Sequence, residues 1–209
     1  MSISIDACVA QHQGDRKEQQ DRVAILGHPK KRGVVLAVVA DGMGGHTGGA
    51  LAAEQVIHTV KTNLEHFAPA DEMPRYMLEN SMREAHTMIK ASRFINEKDP
   101  HSTAVVFMMQ PDRADWAHCG DSRFYHFRRG ALVSRSVDHS LVEELVRKGR
   151  LDAEGALRHP NRNVLLSCLG SEREPRVDVG HVSPLVGGDA FLLCSDGLWA
   201  YISEEEMGE

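Results

Sequence analysis

The sequence predicts an α+β fold in which antiparallel β-sheets carry helices on their outer faces. Two observations point there. The patterns run strands, two long helices, strands, small helices, strands, instead of alternating β and α, and the two long helical patterns follow one another directly, as a pair packed on one sheet face would. A chain of 209 residues is long enough for one well-buried domain and too short for two of comfortable size, and nothing in its middle resembles a linker.

Taken in order, residues 3–9 alternate well enough for a strand, and residues 22–26 and 33–40 read as two more, joined by the turn-rich GHPKKRG. Beyond Thr47 the glycines give way to residues 50–67, where Leu51, Ala52, Val56, Val60 and Leu64 recur at helical spacing. Residues 74–94 repeat the pattern with Met77, Leu78, Met82, Ala85, Met88 and Ile89. Residues 102–109, 114–119, 123–128 and 131–134 are four short strands that read as an antiparallel meander, with Arg129-Gly130 as a tight hairpin. Residues 140–148 form a short amphipathic helix stopped by Gly149, and residues 152–157 another. Residues 177–182 and 189–194 return to strand.

The balance of 30 Asp+Glu against 24 Lys+Arg, a net charge of -6, gives no electrostatic footprint for nucleic acid and suits a basic partner or a metal better. The longest strongly apolar stretch, residues 34–40, falls far short of the ~20 residues a spanning helix needs, and the N-terminus lacks a charged-then-apolar signal layout. A cytoplasmic protein without a membrane partner is the expectation. Cys8, Cys119, Cys168 and Cys194 contain no C-x-x-C pair, so neither a disulfide framework nor a zinc site is expected. Twelve histidines include no H-E-x-x-H and no close pair, which suggests surface or packing roles for most of them.

Chemistry concentrates on aspartates. Residues 34–45, VVLAVVADGMGG, carry an apolar run onto Asp41, and an ionised carboxylate at the end of a buried strand requires a cation or a strong donor network. Asp121 in AHCGD and Asp196 in FLLCSD repeat the pattern, each beside a glycine. Any one of these could be an ordinary Asp-Gly turn, whereas three after apolar runs favour a shared acidic site. Oxygen donors without Cys or His suit Mg²⁺ or Mn²⁺, and Asp41, a Gly42 carbonyl and Asp196 would fit such ions. Arg16, five residues before Asp21, could grip a phosphate with its planar fork, although by itself it reads more readily as a solvated surface arginine. None of the four cysteines has an arginine six residues on, so a phosphate-binding C-x₅-R loop is absent, and the 42–49 loop lacks the G-K-[ST] of a nucleotide P-loop.

GDRKEQQD (14–21), ADGMGGHTGG (40–49), STAVV (102–106), GDSR (120–123), VDHS (137–140) and CSDGLW (194–199) occur here in an order that resembles the metal-dependent protein phosphatases of the PPM, or PP2C, class. The segment 145–170 is similar to the one that bacterial members carry between VDHS and their last strands, so the resemblance spans nearly the whole chain. It implies a single PP2C-like domain over residues 1–209, an α-β-β-α sandwich of two stacked antiparallel sheets flanked by helix pairs. It implies hydrolysis of phosphoserine or phosphothreonine in proteins by direct water attack, dependent on two Mn²⁺ or Mg²⁺ ions with a possible third, and opposing a Ser/Thr kinase in the same pathway. Among the residues, Arg16 resembles the arginine that binds the substrate phosphate and Asp21 the aspartate supporting the metal waters. Asp41 resembles the carboxylate bridging both metals, Gly42 a carbonyl ligand, Asp196 a further ligand, and Asp121 the ligand of the third metal.

Some positions depart from the family pattern. Gln19 and Gln20 stand where an asparagine and an acidic or amide residue usually precede the first aspartate, and Met43 replaces the histidine of animal members, as it does in bacterial ones. A proton-donating role for His46 stays open beside a loop-shaping one. After SDGLWAYISEEEMGE the family continues through a helix and a strand pair bearing an Asp-Asn ligand, so the expectation is a C-terminally incomplete domain with weaker cation binding and reduced activity. Ser203 with the acidic residues after it is a good helix start. The alternative to an active enzyme is an impaired PP2C-like domain that binds phosphoproteins or regulates them.

Overall fold

The computed structural model describes residues 4–44, 47–96 and 99–209. Among them, strands β1 (Asp21–Gly27), β2 (Val35–Met43), β3 (His101–Ser102), β4 (Ala104–Met109), β5 (Ala114–Cys119) and β8 (Asp178–Val182) form one sheet, and β6 (Arg123–Arg128), β7 (Ala131–Arg135) and β9 (Asp189–Cys194) a second. The order in the first sheet is β1-β2-β4-β5-β8, with β3 paired to the far end of β2, and in the second β7-β6-β9. All the pairings are antiparallel.

Strand β2 explains the layering. Along it Leu36, Val38 and Ala40 are fully buried against the helices α1 (Thr47–His66) and α2 (Pro74–Asn96), in a core shared with Val56, Val60, Leu78, Met82 and Ile89. The alternate residues Ala37 and Val39 face the other way, towards Phe107, Phe124, Trp116, Phe191 and Leu193 between the two sheets. Phe124 stacks on Trp116 with ring centroids 5.1 Å apart, which locks one sheet to the other. A third cluster, Tyr125, Phe127, Cys194, Leu198, Trp199 and Met207, covers the outer face of the second sheet with the short helices α5 (Asp196–Trp199) and α6 (Glu204–Gly208). The result is helices, sheet, sheet, helices, the layer order that the resemblance implies.

Three expectations change. Residues 4–9 form no strand and are exposed, Ile5 and Val9 included, because the run pairs with no neighbour and gains no buried face. The meander is not one sheet: β4 and β5 belong to the first and β6 and β7 to the second, and the chain crosses over at Gly120–Ser122. Asp41 does not end its strand, since β2 runs on through Gly42 and Met43, paired with Ser102 and His101. The short helices α3 (Leu141–Arg147) and α4 (Ala153–Arg158) form where expected, with Ser140 and Asp152 accepting from the backbone N–H groups of Glu143 and Gly155. Ser203 and Glu206 build a reciprocal cap on α6.

Candidate active site

The register of β1 on β2 sets Asp21 directly across from Asp41. Partners across an antiparallel pair share a face, and Asp41 continues the Ala37, Val39 series, so both carboxylates belong to the side that looks towards the second sheet. They stand at the end of that interface, where it opens. From the second sheet, β9 delivers Asp196 at the first position of α5, and the crossover turn after β5 carries Asp121. Four acidic residues distant in sequence thus meet where the two sheets come apart.

The backbone around Asp41 is fixed by the STAVV segment. Ser102 Oγ donates to the Asp41 carbonyl at 3.1 Å, the Thr103 N–H donates to the same oxygen at 2.9 Å, and the Asp41 N–H donates to Thr103 Oγ1 at 3.3 Å. Thr103 Oγ1 in turn lies 2.6 Å from Ser122 Oγ, which ties the Asp41 strand to the turn holding Asp121. Gly42 packs directly on Gly49 in the first turn of α1: a methyl group on Gly42 would collide with the Gly49 carbonyl, and one on Gly49 would lie 2.7 Å from the Gly42 oxygen. The glycine-rich segment is therefore a place where strand and helix backbones touch. His46 lies outside the described residues.

Asp21 is held from two sides. Arg22 donates to the carbonyls of Gln19 and Asp21, both at 2.9 Å, while its guanidinium also pairs with Glu54 of α1 at 2.8 Å. Across the seam Ser195 Oγ donates to Asp21 Oδ2 at 2.9 Å. Ser195 occupies the N-cap position of α5 but makes no side-chain cap bond, so its hydroxyl serves the aspartate instead of the helix.

The electrostatics follow from gathering acids with little positive charge. Burial, then the charges of Asp21, Asp196 and Asp121 and a hydrogen bond with Asp21, push the Asp41 carboxyl up to about 8. Burial, then the charges of Asp138 and Asp196, push Asp121 up to about 7. Asp196 is raised by burial and by Asp21, with Arg16 opposing the rise. Arg16 itself is exposed on the loop leading into β1, near enough for Asp196 to feel its charge.

Three carboxylates raised above their ordinary range, those of Asp41, Asp121 and Asp196, standing beside Asp21, suit a hard divalent cation, and every donor here is oxygen. Among the described residues no three His, Cys, Asp or Glu side chains close into one coordination set. That agrees with Asp21 being turned onto Ser195, and with ions such as Mg²⁺, which keep several waters and take only one or two carboxylates. The residues fit such ions.

Around Asp121 lie groups from the GDSR, VDHS and CSDGLW segments whose tasks appear only in the fold. Trp199 Nε1 donates to the Asp121 carbonyl at 2.9 Å, and the Arg123 guanidinium covers the Trp199 ring at 3.7 Å from its centroid. Arg123 is bidentate to Asp138, both bonds 2.8 Å, in a pair whose side chains are 13% and 4% exposed. Burial opposes the Arg123 charge, yet the Asp138 carboxylate holds it above its ordinary range. The signal available in sequence was adjacency: each of these residues sits within a few positions of an aspartate in GDSR, VDHS or CSDGLW.

The sequence model of the family described as Protein phosphatase 2C matches residues 10–207. The chain belongs to the protein phosphatase 2C family. It is 32% identical to the serine/threonine phosphatase stp of Listeria innocua over 199 residues, covering 93% of this chain and 77% of that protein. The solved serine/threonine phosphatase of S. agalactiae superposes with a TM-score of 0.82 at 29% identity, over 92% of this chain and 79% of that one. The catalytic domain of the protein phosphatase PstP, solved in complex with two manganese ions, is similar at a TM-score of 0.74 and 27% identity, over 92% of this chain and 77% of that one. As a protein phosphatase 2C, the chain carries the stacked-sheet fold of the family, and its acidic cluster lies at one end of the sandwich.

Proposed function

We propose that this protein phosphatase removes phosphate from phosphoserine and phosphothreonine in proteins, working on the output of a Ser/Thr kinase in the same pathway. The observation carrying the reading is the meeting of Asp21, Asp41, Asp121 and Asp196 at the opening between the sheets, in a chain of this family. Residues 1–209 act as one catalytic domain, and the reading assigns its work to the cytoplasm.

Asp21, Asp41, the Gly42 carbonyl and Asp196 would hold two divalent cations, Mn²⁺ or Mg²⁺, and Asp121 a third. Bound there, such ions supply an acidified water and positive charge for the phosphoryl oxygens. The chain's own residues do the rest. Arg16, exposed and near enough for Asp196 to feel its charge, offers two parallel N–H donors to the phosphate and fixes its orientation. Asp41, raised by its burial and by the acidic side chains around it, keeps a proton that it would give up on cation binding. Ser195, Ser102 and Thr103 keep the two carboxylates at a constant separation without touching the reacting atoms.

The test is Mn²⁺-dependent phosphate release from a phosphothreonine peptide, beside the Asp41→Asn variant. Activity is expected to fall at least a hundredfold in that variant, on the order of what one preorganised electrostatic group supplies. Activity that survives the substitution would remove Asp41 from the reaction. Mg²⁺ in place of Mn²⁺ in the same assay ranks the two ions.

A further inference from the structure

His139, in the VDHS segment, is buried and lies against the turn that carries Asp121. Two hydrogen bonds join it to Gly120 in both directions: the His139 N–H donates to the Gly120 carbonyl at 2.8 Å, and the Gly120 N–H donates to His139 Nδ1 at 3.2 Å. A backbone N–H can only donate, so Nδ1 carries no proton and the ring proton sits on Nε2. That Nε2 lies 3.3 Å from Asp178 Oδ2 on β8, close but off the line of a hydrogen bond. The ring face rests on His118, with centroids 4.4 Å apart, and the His139 carbonyl accepts the Leu166 N–H at 2.7 Å.

Gly120 needs this support. Its φ of +106° is open to glycine alone, and a side chain there would lie 2.6 Å from the Thr103 methyl. Gly120 has little room and no side chain with which to hold position; the next residue is Asp121, and Ser122 after it is tied to Thr103. The imidazole therefore holds the turn at the Gly120 amide, while Trp199 holds it at the Asp121 carbonyl.

We propose that His139 is a positioning residue for Asp121: its unprotonated Nδ1 pins the Gly120 amide, and so sets where the Asp121 carboxylate stands relative to Asp196 and Asp41. The inference rests on the reading above that Asp121 takes part in cation binding. The isosteres separate it from simple packing, because the Asn amide oxygen can occupy the place of Nδ1 whereas the Gln amide reaches the place of Nε2. In His139→Asn the acceptor for Gly120 survives, and in His139→Gln it is lost.

The experiment titrates Mn²⁺ by calorimetry into the full chain, into both His139 variants and into Asp121→Asn, with phosphate release from a phosphothreonine peptide measured against Mn²⁺ concentration. His139→Gln is expected to weaken the weakest Mn²⁺ association about tenfold and to raise the Mn²⁺ concentration for half-maximal rate by a similar factor, with excess Mn²⁺ recovering kcat. His139→Asn is expected to recover most of that affinity. Equal Mn²⁺ affinities for the Asn and Gln variants would overturn the proposal. An Asp121→Asn variant with unaltered Mn²⁺ binding would overturn the underlying assignment of Asp121 instead. Should neither His139 variant fold, the unsubstituted protein still decides: nitrogen NMR at pH 7.5 is expected to find the His139 proton on Nε2 and a slowly exchanging Gly120 amide, and a proton on Nδ1 refutes the clamp.

Discussion

Replacing Asp138 by Asn isolates an ion pair that braces the site without entering it. Arg123 and Asp138 meet through two parallel 2.8 Å bonds, with the carboxylate side chain only 4% exposed, and the guanidinium also lies over Trp199. Removing one member of a buried pair leaves the other charge unpaired in a poorly solvated place, at a cost of about 3–5 kcal/mol. Asn keeps one acceptor oxygen, so the lower end, ~3 kcal/mol, is expected. For a chain of this size each kcal/mol moves the melting temperature by about 2–4 °C, which gives a fall of roughly 6–12 °C. Urea unfolding followed by far-UV circular dichroism measures the free energy, and tryptophan fluorescence reports whether Trp199 has lost its cover. A double variant, Arg123→Met with Asp138→Leu, is expected to recover most of the loss, because an apolar pair of similar volume carries no stranded charge. A loss below ~1 kcal/mol in Asp138→Asn would refute the reasoning, since that is the range of a solvent-exposed pair.

Acid should destabilise the protein through His118, which burial and then the neighbouring His139 push down to about 4. The folded state favours the neutral ring, so its contribution is complete above the unfolded value near 6.5 and is lost as pH falls from there towards 4. The loss is roughly 3 kcal/mol at its limit, and His118→Gln should flatten the pH dependence of urea midpoints over that window. Cation binding should release protons, because Asp41 and Asp121 hold theirs up to about 8 and about 7 in the cation-free chain. Calorimetry in buffers of different ionisation heat should find between one and two protons released near pH 6.5 and well under one near pH 8.5, and a release that does not fall with pH would contradict the acidic cluster. Gly42→Ala should lower stability by about 1–3 kcal/mol or more, measured by thermal melting, because the methyl group must push strand β2 off helix α1. Ser195→Ala should change the Mn²⁺ concentration needed for half-maximal activity while costing only about 1 kcal/mol of stability, since it frees the Asp21 carboxylate without opening a cavity.

The sequence made the helices and most strands legible because their periodicities are strong and local. Leu51 to Leu64 and Met77 to Ile89 repeat at helical spacing, and Leu36, Val38 and Ala40 alternate with residues that face the second sheet. Asp41 was legible for the same reason, as a charge set on an apolar strand. What periodicity could not convey was partnership. Residues 3–9 alternate like a strand, but whether a strand forms depends on an edge to pair with. The division of the meander between two sheets turns on Gly120, whose positive φ and tight fit against Thr103 are tertiary facts. The tasks of Ser195, Trp199, Arg123 and Asp138 were equally hidden, since each acts on a residue that is near in space through a contact of the folded chain.

The seam position of the acidic cluster has a mechanical consequence. Asp21 and Asp41 ride on one leaf of the sandwich, Asp196 on the other, and Asp121 on the strap between them. Ions shared by these residues would rivet the two leaves at one end, whereas further along the leaves are joined by aromatic contacts such as that of Phe107 with Phe191. Chelation would then loosen the molecule unevenly, from the active end inward, and amide exchange along β9 would quicken near Cys194 before it did near Asp189.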